Sequence, residues 1–116
     1  MDTINEWADK VNESKLPIIV EGKKDEKALA GIGVRNSLFM LSKKPIFAVV
    51  EAAAKNHKHI IILTDFDKKG KELYGRLNRN FQKLGVRVDK KYREWLQKNT
   101  KLSHIEGIDT YCRNNV

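Results

Sequence analysis

Three carboxylates stand where apolar runs stop. Asp65 and Asp67 follow Ile60-Ile61-Ile62-Leu63-Thr64, and Glu21 follows Leu16-Pro17-Ile18-Ile19-Val20. With one residue between them, Asp65 and Asp67 project to the same side of an extended chain. Carboxylates held that close repel each other unless a proton or a cation lies between them. Hard divalent ions such as Mg²⁺ take oxygen ligands of this kind, commonly one or two carboxylates with waters and substrate phosphates. Both acidic segments run directly into basic ones: Gly22, Lys23 and Lys24 after Glu21, and Lys68, Lys69 and Gly70 after Asp67. Taken singly, each acid has a bland reading. A Glu at a strand end is commonly a solvated loop residue, and Asp-x-Asp commonly serves turns and helix caps, with Asp67 placed to cap a helix starting near Lys69. Their joint position beside lysines is what favours chemistry, and it requires the two segments to meet in space.

The elements that must bring them together are legible as periodicities. Thr3-x-x-Glu6 is a capping box, and Ile4, Trp7, Ala8 and Val11 recur at helical spacing, which predicts an amphipathic helix over residues 3–14. Residues 16–20 read as a strand, with Pro17 tolerated only near its start. A helix beginning near Lys23 carries Ala28, Leu29 and Ile32 inward, and Gly31 and Gly33 close it. Residues 36–41 form a second apolar run. Pro45 fits the first position of a helix whose inward face is Ile46, Val49, Val50 and Ala53. Residues 60–64 are the clearest strand, and the lack of polar alternation means that both of its faces are covered. A helix over residues 69–84 follows, with Leu73, Leu77, Phe81 and Leu84 on one stripe. Gly85 ends it, Val86-Arg87-Val88 is a brief fourth strand, and Asp89 caps a helix containing Tyr92, Trp95 and Leu96. A short segment at 102–105 and a last helical turn through Tyr111 complete the chain. Alternating strands and helices, with strands buried on both faces, predict an α/β fold: a mostly parallel sheet of about four strands between two helical layers, with right-handed crossovers. In such sheets ligands bind beyond the carboxyl ends of the strands, where the strand order reverses. Glu21, Asp65 and Asp67 all sit at strand carboxyl ends, so they share a site if the first and third strands are neighbours.

Composition narrows the classes. At 116 residues the expectation is one domain, with 1–15 as an N-terminal helix and 16–110 as the core. Apolar residues at 41% and charged residues at 33%, with seven Gly and two Pro, exclude disordered, collagen-like and low-complexity chains. A single cysteine, Cys112, excludes an internal disulfide and fits a reducing compartment. No apolar run approaches the ~20 residues of a membrane helix. The opening Met1-Asp2-Thr3-Ile4-Asn5-Glu6 lacks the basic-then-apolar pattern of a signal peptide. The expected location is the cytoplasm. The formal charge of +8 points to polyanionic partners, nucleic acid first.

Two segments together carry a resemblance. Ile18-Ile19-Val20-Glu21-Gly22-Lys23-Lys24-Asp25, followed by Ile61-Ile62-Leu63-Thr64-Asp65-Phe66-Asp67-Lys68-Lys69-Gly70, resembles the Toprim domain. That domain is shared by bacterial-type primases, topoisomerases, recombination-repair proteins and the ribonuclease that matures 5S ribosomal RNA. The order of elements matches over roughly residues 15–110, and the motifs are most similar to those of small stand-alone Toprim proteins and of the maturase. His104-Ile105-Glu106 also resembles the segment closing the maturase's Toprim part. The resemblance implies a Rossmann-like Toprim fold. It implies Glu21 as a general acid or base that also shares the metal, and Asp65 and Asp67 as ligands of Mg²⁺, with Mn²⁺ as a substitute. It further implies close backbone approach at Gly22 and Gly70. One departure is Leu41-Ser42-Lys43-Lys44, where many Toprim domains have a glycine after the second strand.

Lys23, Lys24, Lys68 and Lys69 flank the acids and are placed to meet phosphates. Arg76 extends this along the next helix, whose polar side of Lys69, Glu72, Arg76, Arg79 and Lys83 reads equally as a phosphate track or as a solvated face. His57 and His59 belong to a loop at the edge opposite the acids. His104 is nearer to a site yet reads first as structural, and Trp7 and Trp95 fall on core stripes. Cys112 has no role. The expected function is Mg²⁺-dependent phosphoryl transfer on RNA or DNA, in practice a nuclease. The alternative is a non-catalytic metal- and nucleic-acid-binding module acting within a larger complex. A phospho-receiver domain is disfavoured, because its acid pair belongs after the first strand and its partner lysine has no counterpart here.

Overall fold

The computed structural model describes residues 1–115. Among these residues, six helices alternate with four strands: α1 (Ile4–Ser14), β1 (Ile18–Val20), α2 (Lys23–Gly31), β2 (Leu38–Met40), α3 (Ile46–Asn56), β3 (His59–Leu63), α4 (Lys68–Lys83), β4 (Arg87–Asp89), α5 (Lys91–Asn99) and α6 (Ile108–Asn114). Short 3-10 turns at Leu41–Lys43 and Ile105–Gly107 lead out of β2 and into α6. No helix among the described residues is long and apolar enough to cross a membrane.

The sheet is fully parallel in the order β2-β1-β3-β4. Ile18 of β1 pairs with Leu38 on one side and Ile61 on the other, and Val20 pairs with Met40 and Leu63. The chain moves outward from β1 to β2, then returns past β1 to β3, so the order reverses between β1 and β3. Right-handed crossovers then require the helix of the outward step and those of the return to cover opposite faces. They do. Ile18, Val20, Ile61 and Leu63 pack with Trp7, Leu29, Leu96 and Ile108 from α1, α2, α5 and α6. Ile19, Ile60 and Ile62 pack on the other face with Val50, Ala53, Leu77 and Phe81 from α3 and α4. Each of Ile60–Leu63 is fully buried, and each contributes roughly 1.5–3 kcal/mol through apolar area removed from water. This explains the unbroken apolar run: a strand covered on both faces has no polar positions.

Some details differ from the sequence expectation. Pro45 precedes α3 as its cap residue rather than occupying its first turn. Leu84 is 47% exposed, because α4 ends at Lys83 and the stripe runs out of partners. Trp95 is half-buried, with its indole N–H donating to the Met1 carbonyl at 2.7 Å. Trp7 is fully buried and donates to the Tyr92 carbonyl at 2.9 Å, tying α1 to α5. His59 is the first residue of β3 rather than a loop residue; its Nε2 lies 3.5 Å from an Asp89 carboxylate oxygen, at the far end of the sheet from Glu21 and Asp65. The capping box at α1 is half-made: Thr3 accepts from the Glu6 amide, but the Glu6 carboxylate takes the Thr3 hydroxyl.

The seating of α4 on the end of β3 is the tightest junction in the fold. A Cβ on Gly70 would fall 2.0 Å from the Asp65 carbonyl oxygen, while the Thr64 hydroxyl donates to the Gly70 carbonyl at 2.8 Å. At Gly22 the nearest atom to such a Cβ is the Ser42 hydroxyl at 3.7 Å, an ordinary contact, and the backbone is extended. Gly70→Ala is therefore expected to destabilise the protein by about 3 kcal/mol through overpacking. Gly22→Ala should cost no more than about 1 kcal/mol at a cap position. Urea unfolding midpoints of the two variants check this, and equal midpoints would contradict the junction described.

Candidate metal and nucleic-acid site

Because β1 and β3 are adjacent and Val20 pairs with Leu63, the residues just beyond them share one edge. The Asp65 amide donates to Glu21 Oε2 at 2.8 Å, joining the two acidic segments directly. The Ile105 amide donates to Asp65 Oδ1 at 2.8 Å, and the Gly70 amide donates to Asp67 Oδ1 at 2.8 Å, which caps α4. Each of these three acids thus commits one oxygen to a backbone amide that fixes its direction, leaving the other oxygen for a ligand. Asp67 is therefore a helix cap and a candidate ligand at once.

The second oxygen of Asp67 meets an unexpected neighbour. His104 Nε2 lies 3.3 Å from Asp67 Oδ2, and Asp65, Asp67 and His104 each offer a donor atom within 4.8 Å of one another. Glu21 stands beside this trio rather than within it. A divalent cation suits these donors: two carboxylates and an imidazole converge on one point with open positions towards solvent.

Electrostatics point the same way. Burial above all raises the Glu21 pKa from its usual value, and repulsion from Asp65 and Asp67 adds to this; the Asp65 amide and Lys69 act against it. Asp25, in the first turn of α2, accepts from the Glu21 and Gly22 amides at 3.2 and 3.1 Å. Its burial, together with the charges of Asp65 and Glu21, pushes its pKa up to about 6. Crowded acids of raised pKa gain from a cation.

Arg93 was not anticipated from the sequence. It is a buried residue of α5 whose Nε donates to the Thr64 carbonyl at 3.2 Å and whose Nη2 donates to the Asp65 carbonyl at 2.7 Å. The guanidinium lies between the rings of Phe66 and Tyr74, 4.7 Å from each centroid. Burial lowers its pKa from the ordinary value, but an arginine stays charged in any such setting. It places a cation behind the acidic edge and satisfies carbonyls that no strand partner reaches. The available signal was Arg93 three residues before Leu96, on the face of α5 that the sequence assigned to the core.

The predicted basic residues lie around the rim. Lys23 and Lys24 occupy the exposed first turn of α2, and Lys68 and Lys69 that of α4. Both helix N-termini face the acidic edge, where their partial positive charge favours anions. Arg76 is exposed further along α4. Glu106 lines a separate groove of about 410 Å³ with Lys24, Lys27 and Asp109. Another pocket, of about 470 Å³ and lined by Asn12, Lys15, Arg35, Asn36 and Ser37, lies at the opposite end of the strands. At the acidic edge itself Asp67 and His104 are exposed and Asp65 is half-buried.

Asp25 yields a pH-dependent expectation. Its carboxyl is raised from 3.8 to about 6 in the fold, so the native state holds this proton more tightly than the unfolded chain does. The stability it contributes is complete below the unfolded value and is lost as pH rises through about 6. Asp25→Asn keeps an acceptor and removes the charge, and should raise stability at pH 8 by on the order of 2 kcal/mol with little effect at pH 3.5. Urea unfolding of both proteins in chelator across this range checks it; an equal loss at every pH would refute it.

Comparison with known proteins agrees with this geometry. The family model described as the Toprim domain matches residues 17–98, a span that contains Glu21, Asp65 and Asp67 and stops short of His104. A UPF0292 protein of Methanocaldococcus jannaschii is 33% identical over 105 residues, covering 88% of this chain and 82% of its own. A UPF0292 protein of Thermococcus onnurineus is 39% identical over 104 residues, covering 90% and 77%. A solved structure of an Aquifex aeolicus protein superposes with a TM-score of 0.85 at 28% identity, covering 93% of this chain and 100% of the other. With the motif residues, the parallel β2-β1-β3-β4 sheet and the matched span in accord, the chain belongs to the Toprim domain family.

Proposed function

We propose that this protein carries out Mg²⁺-dependent phosphoryl transfer on nucleic acid, as a nuclease acting on RNA or DNA phosphodiesters. Family membership supports a metal-binding, nucleic-acid-related role. The observation that carries the finer reading is Glu21 held against the Asp65 amide, beside carboxylates that converge with open positions. Asp65 and Asp67 hold the ion in this reading. When bound, Mg²⁺ supplies charge stabilisation at a phosphoryl group.

Glu21 acts as the proton carrier. One of its oxygens is fixed by the Asp65 amide, and the other is free to accept a proton from the attacking water or return one to the leaving oxygen. Its raised pKa brings it nearer to the range where one group both takes and gives protons. Water adds to phosphorus, the ester P–O bond breaks, and the leaving oxygen receives the proton. Lys23 and Lys24 on one side, and Lys68, Lys69 and Arg76 on the other, neutralise flanking phosphates. For the four lysines this is a role at helix N-termini that a merely solvated face would not need.

Cleavage of labelled RNA and DNA with Mg²⁺ or Mn²⁺ tests the reading. Glu21→Gln should bind substrate normally and cleave ~10²–10⁴-fold more slowly. Asp65→Asn combined with Asp67→Asn should lose both metal binding, read by calorimetry, and turnover. Absence of metal-dependent cleavage by the native protein on every substrate would replace the enzyme with a binding module. Duplex affinity should fall with salt at a log-log slope of about −0.9 per neutralised phosphate, and Lys23→Ala with Lys24→Ala should reduce that slope by about 1–2. A salt-independent affinity would argue against a polyanionic partner.

A further inference from the structure

The geometry points to His104 as a third metal ligand, which makes the Asp65–Asp67 site selective for a first-row transition ion such as Mn²⁺ over Mg²⁺. The inference rests on the metal reading above and goes beyond it, because two carboxylates alone present only oxygen to the ion.

Three features support a built ligand rather than a passing surface histidine. The segment carrying His104 runs alongside the acidic turn and is bonded to it on both sides. The Phe66 amide donates to the Ser103 carbonyl at 2.9 Å, and the Ile105 amide donates to Asp65 Oδ1 at 2.8 Å. His104 is therefore held in register with the acids by its two neighbours. The ring is also oriented: the Ser103 hydroxyl lies 2.9 Å from Nδ1, leaving Nε2 towards Asp67 Oδ2 at 3.3 Å. An imidazole that binds metal through one nitrogen characteristically engages an oxygen with the other. Finally, the donor atoms of Asp65, Asp67 and His104 lie within 4.8 Å of one another, so a single ion reaches all three.

The selectivity follows from ligand chemistry. Mg²⁺ dehydrates reluctantly, prefers oxygen and commonly keeps several waters, so it gains little by exchanging one for an imidazole. Divalent first-row transition ions accept imidazole nitrogen more readily than Mg²⁺ does, Mn²⁺ least among them, so a mixed nitrogen and oxygen set favours them over Mg²⁺. His104 lies outside the span that matches the Toprim family model, so the preference belongs to the closing segment and not to the matched motifs.

Pulsed electron paramagnetic resonance of the protein loaded with Mn²⁺ tests this without reference to activity. The expected result is an electron spin echo modulated by a coordinated ¹⁴N, abolished in His104→Ala and absent in His104→Gln. By calorimetry, His104→Ala should weaken Mn²⁺ at least about tenfold and Mg²⁺ by less than about threefold. The His104 side chain is 50% exposed, so circular dichroism should find both variants folded; the echo of the native protein decides the question even if they are not. Mn²⁺ bound without nitrogen coupling overturns the inference and leaves the carboxylate site intact, as does coupling that persists in His104→Ala. No Mn²⁺ or Mg²⁺ binding at all overturns the metal reading as well.

Discussion

The hydrogen bond from the Asp65 amide to the Glu21 carboxylate is the contact on which the site depends. It forms only because β1 and β3 are neighbours, and they are neighbours only because β2 lies on the other side of β1. Reversal of strand order at this point sends α2 to one face and α4 to the other, opening a crevice between their N-termini. Two acidic segments 44 residues apart in sequence become adjacent without either being long or unusual. A sheet built as a simple succession of strands would have set β2 between them. Topology therefore positions Glu21, and local turn geometry then aims it.

The cost of that arrangement is electrostatic. Glu21, Asp25, Asp65 and Asp67 occupy one edge, and burial with mutual repulsion raises the first two. The fold counters this with amide donors rather than with ion pairs. Glu21 receives one from Asp65, Asp25 two from the start of α2, Asp65 one from Ile105 and Asp67 one from Gly70. Amide donors stabilise a carboxylate without covering its other oxygen, whereas an Arg or Lys in direct contact would occupy the position a ligand needs. Arg93 fits the same logic. It is the one buried cation near the acids among the described residues, yet it bonds to carbonyls behind the edge and not to the carboxylates themselves.

How much of this was legible depended on range. Asp65 and Asp67 could be read because the run Ile60–Leu63 announces a doubly covered strand and the acids follow at once. The architecture could be read because its helices and strands alternate with clear periodicities. Arg93 could not be assigned, since its partner lies 28 residues away and nothing local marks it; His104 stood in a motif near a site, but its pairing with Asp67, 37 residues away, could not be read. The role of Gly70 was visible as a motif, but its reason, the Asp65 carbonyl filling the space of a Cβ, is a tertiary fact. The failures at Leu84 and Trp95 share a cause. Helical periodicity assigns a face, but the edge of the neighbouring layer decides how far along that face burial extends.

Sign and distance together explain why a chain of charge +8 keeps acids at its centre. The summed positive field attracts a polyanion from roughly a Debye length away, about 8–10 Å in physiological salt. At contact the field is local, and the carboxylate edge would repel a phosphate brought to it by the rim lysines. A cation on Asp65 and Asp67 reverses only this short-range term. Long-range attraction thus exists already without the ion, which only adds to it, while on the proposed function close approach at the acidic edge depends on the ion. On the proposed function, nucleic acid held by Lys23, Lys24, Lys68 and Lys69 alone would sit around the edge, and an ion on Asp65 and Asp67 would draw the bound phosphate inward to Glu21. On that reading, the separation of the two ranges would let one small surface hold a polyanion loosely in one ionic state and closely in the other.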